Sequence, residues 1–109
     1  MKYECHGHII LDGIDYKEAV KRHKNGPDED FIRKNLKILS DNDIGFYRDG
    51  GDKYLASALA RKIAWEYELD YRTPIFAIHK KGHYGSMFGL AFESVKEMKL
   101  LMMEAKAQG

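Results

Sequence analysis

The chain has 109 residues, and its 44% hydrophobic and 32% charged content is typical of one small globular domain. Its 18 basic and 17 acidic residues nearly cancel, which excludes the basic field of proteins that bind nucleic acid or membrane surfaces. No apolar run is long enough to span a membrane, the start has no signal-peptide pattern, and the lone Cys5 suits a reducing compartment. We therefore expect a cytoplasmic protein with no nucleic-acid and no membrane partner.

The first predicted element is a β-strand that carries two histidines, His6 and His8, and gives way to a turn at Gly13. Alternate residues of a strand point to the same face, so the two imidazoles are expected to converge on one side. Neutral imidazole is the commonest protein ligand for metal ions. The spacing therefore suits a metal site, although such pairs also occur as ordinary hydrogen-bonded strand histidines.

Two helices are predicted to follow the first strand. Asp15 is placed to cap a short helix that ends at the breaker 25–27, and Asp28 begins a second helix that ends around 40–43. His23 is expected to face solvent or to close the C-terminus of the first helix. Both helices are therefore expected to lie between the first two strands in the chain.

The remaining elements alternate between strand and helix. The apolar run 44–48 predicts a second strand, Asp52 opens a clear helix, 75–79 predicts a third strand, and Ser94 begins a last helix with a capping box. This order indicates an α/β fold with about three parallel βα units joined by right-handed crossovers.

Polar side chains at or beyond the carboxyl ends of the predicted strands are expected to meet at one edge of the sheet. Parallel strands end on the same side, which is where α/β folds bind ligands. The residues brought together in this way are His6, His8, Arg48, Asp49, His79 and His83.

Three stretches, 5–13, 47–52 and 71–82, resemble the first three βα units of the amidohydrolase superfamily of metal-dependent hydrolases. That family has a (β/α)8 barrel that opens with a His-x-His pair at the end of its first strand. The resemblance implies a partial TIM-type (β/α) barrel, with residues 1–109 forming a single N-terminal portion of about three units. A whole barrel needs about 250 residues.

The resemblance also implies a chemistry. It makes His6 and His8 ligands of a divalent metal, most often zinc, in an enzyme that hydrolyses C–N bonds such as those of amides or cyclic amides in a small-molecule substrate. The family's other ligands and its general base follow later strands, so this chain by itself is expected to turn over little or no substrate. Residues predicted to line the substrate side, or else to be ordinary polar loop residues, are Arg48, Asp49, His79, His83 and Tyr84.

Two other functions compete with this interpretation. Phosphoesterases of the polymerase and histidinol phosphatase type also begin with a strand-borne His-x-His pair, and Arg48 and Lys80 would suit a phosphate group. Alternatively, the chain is a non-enzymatic βα module. Unpaired sheet edges favour pairing with another chain, so a homo-oligomer formed through open edges is expected in that case.

Overall fold

The computed structural model describes residues 1–83 and 87–108. Within these residues the chain is a mixed α/β structure with two small parallel sheets and four α-helices. In chain order the elements are β1 (Lys2–Gly7), α1 (Tyr16–Lys21), α2 (Glu29–Asp41), β2 (Ile44–Asp49), α3 (Ala56–Ile63), a short 3-10 helix (Ala64–Tyr67), β3 (Asp70–Arg72), β4 (Ile78–Lys80), β5 (Leu90–Phe92) and α4 (Val95–Ala107).

The larger sheet has the strand order β1-β2-β3, and both of its pairings are parallel. The smaller sheet pairs β4 with β5, also in parallel. The prediction of an α/β fold with parallel strands is therefore confirmed. The described residues form no closed barrel.

One face of the larger sheet is covered and the other is open. Along β2 the side chains alternate, with Tyr47 buried and Arg48 exposed, because successive residues of a strand point to opposite faces. On the open face the rings of Tyr3 and Phe46 lie 5.8 Å apart, and Tyr3 is 65% exposed. The covered face packs against α2 and α3 around a core that includes Ile10, Ile32, Leu36, Tyr47, Ala60 and Tyr71.

Three helices begin where the sequence predicts them. Asp15, Asp28 and Ser94 each accept hydrogen bonds from backbone amides in the first turn of α1, α2 and α4. These side chains satisfy amides that have no partner within the helix, which stabilises each helix start. None of the helices in the described part of the chain combines the length and apolar character of a membrane-spanning segment.

Helix α3 begins later than predicted. Asp52 does not start the helix directly, because the backbone first turns through Leu55, whose φ is 64°, and regular helix begins at Ala56. The buried Asp52 carboxylate nevertheless accepts hydrogen bonds from the amides of Tyr54, Ala56 and Ser57. Asp52 therefore caps α3 even though a turn of backbone separates it from the first helical residue.

The prediction of a third strand at 75–79 is wrong in its position. The third strand of the larger sheet is β3, at Asp70–Arg72, whereas only the end of the predicted run forms β4 in the smaller sheet. Pro74 has no amide to donate to a sheet, and Ile75 has a φ of 70°, which a strand cannot contain. Ile75 and Phe76 are still buried, as loop side chains packed in a second apolar cluster.

Candidate functional site

The two histidines lie side by side at the carboxyl end of β1. His6 lies within the strand and is exposed, whereas His8 follows one residue after its end and is half-buried. Their ring centroids are 5.5 Å apart and the ring planes are nearly perpendicular, at 87°. The two-residue spacing thus brings the imidazoles together even though the strand ends between them.

A backbone hydrogen bond fixes the orientation of the His8 ring. Its Nδ1 atom lies 3.2 Å from the carbonyl oxygen of Gly51. A carbonyl only accepts hydrogen bonds, so Nδ1 carries the proton and Nε2 keeps a free lone pair. The Phe88 ring packs 4.6 Å from the imidazole, and a Cβ on Gly50 would overlap it, so only glycine leaves room for the ring there.

Asp49, at the end of β2, ties together the backbone segments that hold His8. The Asp49 carboxylate is 2% exposed and accepts hydrogen bonds from the Ile9 amide at 2.9 Å and the Gly51 amide at 2.6 Å. The Tyr71 hydroxyl on β3 donates a third hydrogen bond to it. One carboxylate therefore connects the residue after His8, the turn whose carbonyl binds the His8 ring, and the neighbouring strand.

In this buried network the Tyr71 hydroxyl keeps its proton and remains a hydrogen-bond donor. Burial raises the pKa of Tyr71 well above its ordinary value, and the negative charge of Asp49 raises it further. Burial likewise raises the pKa of Tyr47, whose ring stacks 5.3 Å from that of Tyr71. Burial also raises the pKa of the Asp49 carboxyl, and its hydrogen bonds from Tyr71 and from the two amides offset part of that effect.

A cavity of about 430 Å³ lies beside His6 at the carboxyl end of the larger sheet. Among its polar side chains, Arg72 and Thr73 are not predicted site residues, because the sequence pattern does not predict a strand at 70–72. Arg72 is exposed next to the buried Tyr71, so it lies on the open face together with Arg48. This alternation is the sequence signal that could have identified Arg72. The cavity is lined by His6, Arg48, Asp49, Gly50, Arg72, Thr73 and Pro74.

Comparison of the chain with protein-family models, curated proteins and solved structures gave no match. The resemblance to the amidohydrolase superfamily therefore stays a prediction from sequence motifs.

The predicted site residues His79 and His83 do not line this cavity. His79 lies on β4, in the smaller sheet, and its buried Nδ1 has no hydrogen-bond partner among the described residues. His83 is exposed in the loop after β4, and Tyr84 lies outside the described residues. Across 1–83 and 87–108 no group of three or more histidine, cysteine or acidic side chains is arranged to hold a metal. The described chain thus offers a pair of imidazoles and not a complete ligand set.

Proposed function

We propose that the chain carries the first-strand metal ligands of a metal-dependent hydrolase of the amidohydrolase type, which acts on C–N bonds such as those of amides or cyclic amides. The observation that supports this most is the hydrogen bond from His8 Nδ1 to the Gly51 carbonyl. Histidines that bind metals commonly donate their other ring N–H to a carbonyl or carboxylate, which orients the ring and leaves one nitrogen free. His6 presents a second imidazole beside it.

The position of the pair supports the same proposal. The histidines, Arg48 and Arg72 all lie toward the carboxyl ends of parallel strands, where α/β folds bind their ligands. The open face is aromatic toward the start of the strands, at Tyr3 and Phe46, and polar toward their ends. This arrangement suits the inner face of a partial TIM-type (β/α) barrel.

Zinc held by His6 and His8 would supply a Lewis acid and lower the pKa of a bound water. A catalytic zinc takes about three protein ligands, so a further ligand has to come from outside the described residues. The chain's own contribution is to hold two neutral nitrogens in place, through the turn at Gly51 and the buried carboxylate of Asp49. We therefore expect zinc binding by this chain without appreciable hydrolysis.

Zinc binding tests the proposal directly. We expect the protein to bind about one Zn²⁺ through both histidines, with Nε2 as the coordinating nitrogen of His8, and the double variant His6→Ala, His8→Ala to bind it at least about tenfold more weakly. Equilibrium dialysis with elemental mass spectrometry measures the affinity, and ring ¹⁵N NMR identifies the coordinating nitrogen.

The matched control is His83→Ala, which removes an exposed histidine of the loop after β4. Three outcomes would contradict the proposal: zinc affinity is unchanged in the double variant, it is reduced equally in the control, or His8 coordinates zinc through Nδ1. Hydrolysis of amides by the chain alone, abolished by His6→Ala, would overturn the expectation that the site is incomplete.

A second candidate function, self-association as a βα module, is favoured by the extent of exposed surface. A folded monomer of this mass, 12.6 kDa, is expected to expose about 6200 Å². The chain exposes 7088 Å². The chain therefore exposes more surface than is typical of a folded monomer of its mass. Large apolar side chains exposed along α4 are Val95, Leu100, Met102 and Met103.

Sedimentation equilibrium over a range of concentrations measures this association. We expect a dimer that dissociates when Leu100 and Met103 are both replaced by glutamate, because charge in an apolar contact has to be desolvated. The control Lys99→Glu places a negative charge on the same helix without removing apolar surface. A 12.6 kDa monomer at every concentration would exclude this second function.

A further inference from the structure

Two arginines face each other across neighbouring strands of the larger sheet. Arg48 on β2 and Arg72 on β3 are paired in the parallel register, and both side chains are exposed on the open face. Adjacent strands lie about 4.8 Å apart, and like charges placed directly opposite one another are destabilising. The pairing breaks a rule of sheet stability, and such departures are typical of functional positions.

Only one of the two positive charges is neutralised. Arg72 forms a two-point ion pair with Asp70, with Nε to Oδ1 at 2.7 Å and Nη2 to Oδ2 at 3.2 Å. These hydrogen bonds from Arg72 lower the pKa of the Asp70 carboxyl, so it remains charged. Arg48 instead donates its Nε–H to the carbonyl of Cys5 at 2.7 Å and forms no ion pair within the described residues.

The hydrogen bond to Cys5 prepares Arg48 to bind a ligand. It uses the Nε–H and fixes the plane of the guanidinium, which leaves the two terminal nitrogens available as a fork of donors. Both arginines line the same cavity as His6. A ligand held by this fork would therefore lie next to His6.

We propose that Arg48 and Arg72 form a subsite for a carboxylate group of the substrate, so that the compound hydrolysed is an acidic amide. This assignment of a substrate class rests on the proposed hydrolase function, whereas anion binding itself requires no metal. The charges favour a carboxylate over a phosphate, because Arg48 contributes one uncompensated positive charge and Asp70 would repel a second negative charge on the ligand. Planar carboxylates also match the guanidinium fork in two-point hydrogen bonding.

The test is an NMR titration of the metal-free protein, with EDTA present, at constant ionic strength. The probes are N-acetylglycine, acetate and inorganic phosphate, with chloride as the reference anion, and the signals are the Nε–H groups of the two arginines. We expect saturable shifts with both carboxylates. Arg48→Gln should weaken their binding at least tenfold, and Arg48→Lys should weaken it less, because lysine keeps the charge but loses the fork.

The matched control is Lys34→Gln, which removes one positive charge from the exposed surface of α2 and should leave binding unchanged. Tighter binding of phosphate than of the carboxylates would overturn the assignment, as would shifts shared with chloride or retained in Arg48→Gln. Circular dichroism establishes that each variant is folded. Zinc affinity, measured separately, should not fall in Arg48→Gln, because loss of a positive charge does not weaken binding of a cation. Failure of the metal site and failure of the anion subsite are therefore distinguishable.

Discussion

Replacing Asp49 by asparagine is expected to lower the free energy of unfolding by about 3 kcal/mol, because it disrupts a buried carboxylate that three donors share. Asparagine keeps one acceptor oxygen but turns an NH₂ group toward a donor. At least one of the Ile9 amide, the Gly51 amide and the Tyr71 hydroxyl then loses its partner inside the protein. Urea unfolding followed by circular dichroism measures the loss.

The same substitution should also disturb the histidine pair. Asp49 connects the amide of Ile9, which directly follows His8, with the turn at Gly51 whose carbonyl accepts from the His8 ring. Asn35 adds a second anchor on this segment by donating to the carbonyl of Ile9. We expect Asp49→Asn to weaken zinc binding at least about tenfold, as loss of groups that orient metal ligands does elsewhere.

Tyr71→Phe is the matched control for Asp49→Asn. It removes a single donor and leaves both backbone hydrogen bonds to Asp49 in place. We therefore expect the free energy of unfolding to fall by about 1 kcal/mol and zinc affinity to fall less than in Asp49→Asn. The carboxylate does not organise this site if the free energy of unfolding of Asp49→Asn lies within about 0.5 kcal/mol of the parent's. The same holds if Tyr71→Phe is the more destabilised of the two variants.

Features that depend on neighbours in the sequence were predictable. The caps Asp15, Asp28 and Ser94 bind amides within three residues of themselves, so the local pattern contains the whole interaction. The short spacing of His6 and His8 likewise predicts adjacent rings. Whether the pair binds metal stays a prediction.

Features that depend on distant partners were not predictable. Strand β3 has only three residues, two of them charged, and its one buried side chain, Tyr71, donates to Asp49 across 22 positions of the chain. No periodicity in 70–72 reveals such a partner. The more apolar run at 75–79 predicts a strand instead, but apolar content predicts burial more directly than it predicts backbone conformation. Because the sequence does not predict β3, it does not indicate Arg72 as a site residue either.

His23 is a further correction, because it was expected to face solvent or to close the end of α1. The structure buries it completely, two residues beyond the end of that helix, with its ring 5.3 Å from that of Phe31. Its Nδ1 accepts a hydrogen bond from the Asp28 amide at 2.9 Å, so His23 supports the start of α2. Its buried Nε2 has no hydrogen-bond partner among the described residues.

This environment favours the neutral imidazole. Protonation of His23 would place a hydrogen on Nδ1, facing the Asp28 amide that now donates to it. Burial lowers the pKa of His23, and the nearby charge of Arg22 lowers it further, while Asp52 and Asp28 offset part of the shift. The folded protein therefore binds a proton at this site less readily than the unfolded chain does.

Stability should consequently fall as the solution becomes mildly acidic. Above the unfolded-state pKa of about 6.5 both states hold a neutral His23, and its contribution is fully present. Below that value the unfolded chain takes up a proton first, so stability is lost until the pH reaches the lower folded-state pKa. We expect His23 to contribute a loss of stability between pH 7.5 and pH 5.5, of up to about 1.4 kcal/mol, measured by urea unfolding.

His23→Asn isolates this effect, because its side-chain oxygen takes the place of Nδ1 as an acceptor for the Asp28 amide but does not titrate. The variant should be less stable at pH 7.5, since the smaller side chain leaves a cavity, yet lose less stability than the parent between pH 7.5 and pH 5.5. His83→Asn, at an exposed histidine, should keep the parent's dependence. A direct NMR titration of His23 in the parent supports this account if its pKa lies below 6.5 and contradicts it otherwise, whether or not the variant folds.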